Sequence, residues 1–249
     1  MGTIIAVNGK GGTGKTTVAS LIVDYIAANR LGSLLAVDAD PNSTLADMLG
    51  LKIGATMVGV VDETSKMKDA VPAGMSKDRF IGMRVQESIA EADNFDLLSM
   101  GRPEGPGCYC YMNSVLRNVL NDVTKNYSFL VVDNAAGMEH ISRRTERVID
   151  RLLLVSDYSI MGIRSAARIA SLAKEMDIKV GRSFLIVNKI TSSLNSLKNE
   201  IDASGIPLAG TIPYDEELIG LSLENMPISK LKSGNVKTAM ADIMKKILG

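Results

Sequence analysis

The chain has 249 residues, with 28 Lys and Arg against 28 Asp and Glu, so its formal net charge is zero. That length suffices for one large α/β domain with a buried core, and the charge balance argues against a surface built to coat nucleic acid. No apolar run reaches membrane-spanning length, Ala6 stands where a myristoylation signal needs Ser or Thr, and no charged-then-apolar leader precedes the first strand, so a cytoplasmic protein off the membrane is expected.

In chain order, residues 3–8 (Thr-Ile-Ile-Ala-Val-Asn) read as a buried strand. The stretch Gly9-Lys10-Gly11-Gly12-Thr13-Gly14-Lys15-Thr16-Thr17 then fits G-x-x-x-x-G-K-[ST], with a second lysine, Lys10, just inside the first glycine. The glycines let the backbone curl so that several N–H groups face one concavity, and the following helix adds the positive end of its dipole. Lys15 is expected on the β- and γ-phosphates, and the Thr16 hydroxyl on Mg²⁺. Val18, Leu21, Ile22, Tyr25 and Ile26 fall at helical spacing, with Gly32 as the expected C-terminal cap. Strand, glycine loop and helix are the context this phosphate-binding mechanism requires.

Further strands are expected at 34–37, 96–100, 129–133, 151–156, 183–187 and 208–212. Helices are expected near 43–49, 113–125, 162–176, 194–203 and 235–248. The alternation predicts an α/β fold: a mostly parallel, doubly wound sheet with helices on both faces, and ligands at the carboxyl ends of the strands. Residues 1–249 are read as a single domain, with a helical insertion over the sheet edge near 51–94. The last segment puts Val236, Met240, Ile243, Met244, Ile247 and Leu248 on one helical face. Docking of that face on the domain is the expected arrangement; a membrane-surface helix is the alternative.

Two strands end in aspartate. Val37-Asp38-Ala39-Asp40-Pro41 places carboxylates just past a strand end, where Asp40 can orient or deprotonate an attacking water and Asp38 can support it. Leu130-Val131-Val132-Asp133 suits a carboxylate holding Mg²⁺ through water, followed by small residues that suit a γ-phosphate-sensing loop. Asn188-Lys189 follows another strand, as in many P-loop proteins. Thr191 occupies the place where guanine-specific enzymes carry Asp, so adenine is the expected base.

This layout resembles the deviant Walker A ATPases, the group that includes MinD, ParA and the nitrogenase iron protein. The resemblance rests on Lys10 with Lys15, on residues 38–41 and on Asp133. It implies a homodimer closed face to face by ATP, with Lys10 crossing to the partner's phosphates as an arginine finger would. It also implies that Pro213, Tyr214 and Asp215 flank the adenine, with Asn188 and Lys189 as further base contacts.

The chain's two cysteines form Cys108-Tyr109-Cys110, between a Gly/Pro-rich loop and a helical stretch. Thiols near a helix N-terminus have lowered pKa and make better ligands. Two thiolates are half of a four-thiolate site, and a second copy of the chain could complete it at a two-fold axis. The lone histidine, His140, is read as a hydrogen-bonding residue and left out of the metal set. The glycine loop, Gly137-Met138-Glu139-His140 and the Cys-x-Cys pair together resemble the CooC- and AcsF-type maturation ATPases, which serve nickel centres of carbon monoxide dehydrogenase and acetyl-CoA synthase. That resemblance implies Ni²⁺ or Zn²⁺ shared by Cys108 and Cys110 of two subunits, and a nickel enzyme as client. A positioning ATPase on membrane or DNA, and an iron–sulfur carrier or reductase ATPase, are the alternatives.

Overall fold

The computed structural model describes residues 2–40, 44–66, 71–102, 122–135 and 149–249. Cys108, Cys110, residues 137–140 and most of the helix expected at 113–125 lie outside the described residues.

The strands are β1 (Thr3–Gly9), β2 (Leu34–Asp38), β3 (Ala90–Glu91), β4 (Asp96–Ser99), β5 (Phe129–Asp133), β6 (Ile149–Ser156), β7 (Val180–Ile190) and β8 (Leu208–Pro213). They form one sheet in the order β3-β4-β2-β5-β1-β6-β7-β8. All neighbours are parallel except β3 and β4, which pair antiparallel at one edge. A parallel sheet covered on both faces needs strands apolar on both sides, and β1 and β2 are buried almost throughout. β1 lies inside the sheet between β5 and β6, so the loop that follows it opens at the middle of the carboxyl edge.

Successive residues of a strand point to opposite faces, which sorts the core into layers. Ile5, Val7, Leu34, Ala36, Val131, Leu153 and Ile186 face α1 (Lys15–Ala28), α2 (Thr44–Leu49) and the C-terminal helix. On the other face, Leu35, Val37, Leu98 and Leu130 meet α3 (Met57–Lys66) and α4 (Lys77–Glu87). Ala6, Leu152, Leu154, Leu185 and Val187 meet α5 (Ile160–Glu175) and α6 (Lys198–Ser204). Segment 51–94, expected over the sheet edge, thus places α3 and α4 on the second face and ends in the edge strand β3.

Among the described residues two further helices follow, α7 (Glu216–Leu223) and α8 (Gly234–Leu248). α7 was not expected from the sequence; it is short and buries none of its residues fully. In α8, Val236, Met240, Ile243, Met244 and Ile247 are at most 2% exposed. Its apolar stripe is spent on the α1 face of the sheet, and the Arg151 guanidinium donates to the Ile247 carbonyl. Among the described residues no helix is long and apolar enough to cross a membrane.

The end of α1 differs from the sequence expectation. Arg30, at φ 51°, takes the left-handed position. Its N–H donates to Ala27 O (3.1 Å) and the Leu31 N–H to Ile26 O (3.2 Å), which closes the helix before Gly32. The stretch expected as one helix over 194–203 is a 3₁₀ turn, Leu194–Leu197, followed by α6.

Candidate nucleotide site

Glycine is required at two points of the loop between β1 and α1. Gly12 and Gly14 take φ 83° and 88°, conformations that side chains with a Cβ rarely adopt. A Cβ at Gly14 would also sit 2.4 Å from Asn188 Nδ2. Three carbonyls of the loop are held by side-chain donors. Lys10 O accepts from the Thr13 hydroxyl at 2.9 Å and from the Lys15 ammonium at 3.4 Å. Gly12 O accepts from Lys189 Nζ at 3.0 Å, and Thr13 O from Asn188 Nδ2 at 2.9 Å. The Thr13 N–H also donates to Lys10 O, at 3.4 Å, so the curl is closed on itself just ahead of α1, whose N-terminus carries the positive end of the helix dipole and favours an anion. Gly11, Thr16 and Thr17 flank this curl, Lys15 is buried at the start of α1, and Lys10 is exposed on the rim.

Two carboxylates lie beneath the loop, on the α1 side of the sheet. Asp38 and Asp133 are in register on the adjacent strands β2 and β5, and both are fully buried. Asp38 Oδ1 accepts from the Asp40 N–H at 3.1 Å and Oδ2 from the Leu45 N–H at 3.0 Å. It therefore braces the turn that carries Asp40 and the first turn of α2. Burial raises its pKa from 3.8 to about 6, against the lowering effect of those two N–H groups and with the raising effect of Asp40 and Asp47. Burial likewise raises Asp133 to about 7; the Thr16 hydroxyl and Lys15 ammonium oppose this, while Asp38 and Asp40 add to it. Thr16 approaches Asp133 closely enough to favour its ionised form, yet neither Asp133 oxygen completes a well-formed hydrogen bond among the described residues. A buried pair of acceptor oxygens beside a hydroxyl at a phosphate loop is the donor set that Mg²⁺ takes, so these residues fit that ion. Asp40 is half-buried at the mouth.

Asn8 and Asn134 were not singled out from the sequence. Asn134 Nδ2 donates to Asn8 Oδ1 at 3.0 Å and to Val7 O at 3.3 Å, tying β5 to β1 at the root of the loop. The signal was the polar residue closing each apolar strand.

The residues expected around the base are placed as follows. Asn188 is buried, and its Oδ1 accepts the Lys189 N–H at 2.9 Å, so its side chain links the end of β7 to the phosphate loop. Pro213 ends β8, and Tyr214 is half-exposed beyond it. Asp215 caps α7: its Oδ1 accepts from the Leu218 N–H at 2.9 Å and its Oδ2 from the Ser233 hydroxyl at 2.7 Å. The Ser233 and Leu218 bonds hold its pKa below the usual carboxylate value. Cys108 and Cys110 lie outside the described residues. Among those described, no three His, Cys, Asp or Glu side chains gather in a way that could hold a metal ion.

Residues 4–228 match the CbiA family, described as the CobQ/CobB/MinD/ParA nucleotide binding domain. The chain is 37% identical over 249 residues, 98% of each sequence, to an uncharacterized ATP-binding protein of Methanocaldococcus jannaschii. It is 28% identical over 232 residues to the carbon monoxide dehydrogenase accessory protein CooC of Rhodospirillum rubrum, covering 86% of this chain and 84% of that one. Its fold matches the MinD cell division protein of Aquifex aeolicus with a TM-score of 0.72 at 22% identity, over 100% of this chain and 97% of the other. With the glycine loop and the buried aspartate pair in place, the chain belongs to the CobQ/CobB/MinD/ParA family of nucleotide-binding domains.

Proposed function

We propose that this protein is a Mg²⁺-dependent ATPase, dimeric when ATP is bound, that serves the maturation of a nickel enzyme of the carbon monoxide dehydrogenase or acetyl-CoA synthase type. The observation that carries the ATPase reading is the buried Asp133 carboxylate, without a well-formed hydrogen bond among the described residues and beside Thr16, beneath a loop whose carbonyls are held by Asn188 and Lys189. Thr16 and Asp133 are the residues that would hold Mg²⁺, and Lys15 the one that would contact the β- and γ-phosphates. When bound, the cation offsets charge on the phosphate oxygens. Asp40, at the mouth, is the group proposed to orient the attacking water, and Asp38 fixes the turn that carries it. Lys10 is proposed to reach the phosphates of a second subunit, a role its exposure on the rim allows.

The nickel reading rests on two sequence findings. One is the likeness to an accessory protein of carbon monoxide dehydrogenase; the other is Cys108-Tyr109-Cys110. In this proposal the thiolates of two subunits hold one Ni²⁺ or Zn²⁺ between them. The test is metal analysis with molecular sizing under anaerobic conditions, with and without ATP. One metal ion per two chains is expected, lost in the Cys108→Ala, Cys110→Ala double variant. One ion per single chain, or undiminished metal in that variant, refutes the assignment.

A positioning ATPase is the second reading, favoured by the fold shared with MinD. Its best sequence support was an amphipathic α8, but that apolar face is buried in the core. Co-sedimentation with liposomes or DNA in the presence of ATP, retained by the cysteine-free variant, would establish it.

A further inference from the structure

The end of β7 departs from regular pairing where it reaches the phosphate loop. The ladder with β8 is irregular between Val187 and Ile190, and Lys189 sits at φ 58°. A lysine in the left-handed region is strained and persists only where its surroundings fix it. Three bonds do so here. Asn188 Oδ1 accepts the Lys189 N–H, Asn188 Nδ2 donates to Thr13 O, and Lys189 Nζ reaches Gly12 O, each at 2.9–3.0 Å. The loop is built to receive this contact as well. Gly14 lacks the Cβ that would lie 2.4 Å from Asn188 Nδ2. Two consecutive loop carbonyls are thus held by two consecutive residues of a strand that is separate in sequence by some 175 positions.

We propose that Lys189 is a positioning residue for the polyphosphate: its ammonium, anchored on Gly12 O, keeps the amides of the 11–14 curl turned toward the ligand, and it reads no base. This rests on the nucleotide-binding reading of the site and adds how the loop is held ready. Peptide units are planar, so pinning the Gly12 carbonyl also fixes the plane that carries the Thr13 N–H, which donates to Lys10 O at 3.4 Å and closes the curl. An ammonium–carbonyl bond is among the stronger hydrogen bonds. Losing it releases the curl to conformations in which the donors no longer converge.

The probes are Mg·ATP and inorganic tripolyphosphate, which has no base or ribose, titrated into purified protein by calorimetry. The variants are Lys189→Gly, which keeps the left-handed backbone without strain, and Lys189→Arg, which retains a cationic donor. In Lys189→Gly, affinity for both probes is expected to fall by the same factor, about tenfold. Lys189→Arg should recover most of that loss for both. The melting temperature of each variant confirms that it is folded. ATP affinity falling while tripolyphosphate affinity stays unchanged would overturn the proposal and make Lys189 a base or ribose contact. Unchanged affinity for both, or a loss that arginine does not restore, would overturn it as well. Wild-type protein binding neither probe would instead remove the nucleotide reading itself, and the proposal with it.

Discussion

Asp133 stands in register with Asp38 across β5 and β2, two fully buried carboxylates at the carboxyl ends of adjacent parallel strands. Removal from water is the larger effect on both; Asp38 and Asp40 raise Asp133 further, and Asp40 and Asp47 raise Asp38.

This pair sets a pH dependence whose sign is fixed. Both groups ionise near 3.8 in the unfolded chain, but near 6 (Asp38) and 7 (Asp133) in the fold. The folded state therefore binds protons more tightly. Their contribution to stability is present at low pH and is lost as pH rises from about 4 through 6 to 7, at up to about 1.4 kcal/mol per pH unit for each group. Asp133→Asn removes the group that titrates highest. Urea denaturation of nucleotide-free protein at pH 5.0 and 7.5 checks this, as an order-of-magnitude choice of conditions spanning that window. Relative to wild type, the variant should gain stability at the higher pH. A stability difference that is the same at both pH values contradicts the burial argument.

The two lysines of the glycine loop should separate binding from assembly. Lys15 is buried at the start of α1, with its ammonium on the loop's own Lys10 carbonyl. Lys15→Ala removes the ammonium proposed to contact the phosphates and should weaken ATP binding by about tenfold to a hundredfold. Lys10 is exposed. Lys10→Ala should leave affinity and melting temperature close to wild type and abolish the ATP-dependent mass increase that the proposed dimer predicts in light scattering. Loss of ATP binding in Lys10→Ala would place its ammonium on the phosphates of its own chain.

Gly14→Ala tests the backbone requirement. The new Cβ would be 2.4 Å from Asn188 Nδ2, on a residue at φ 88°. A lowered melting temperature is expected, with a loss of at least about 1–2 kcal/mol from the left-handed backbone alone. Gly11→Ala is the control, since nothing lies within 4 Å of a Cβ there. It should melt close to wild type.

The parts of this molecule legible in the sequence are those governed by local chemistry. The glycine loop, the apolar runs of β1, β2 and β5 and the aspartates ending β2 and β5 follow from residue type and spacing. The apolar stripe of α8 announced a docked helix. What was not legible depends on partners distant in sequence. That Asp215 caps α7 and accepts from the Ser233 hydroxyl, eighteen positions on, could not be read from residues 213–215. Asn188 matched a base-reading pattern, and only the fold brings its amide to Thr13 O. Gly32 was the obvious cap for α1, but Arg30 accepted the strained turn first. α3 and α4 carried helical character without showing which face of the sheet they cover.

The packing of α8 bears on how the protein comes to be made. Val18 and Ile22 of the phosphate-loop helix share one core with Val236, Met240 and Ile247, more than two hundred positions later. During synthesis that helix must wait, half-covered, until residue 247 has left the ribosome. Closure over so long a span of chain is slow, so competence to grip a phosphate is gained late and nearly all at once.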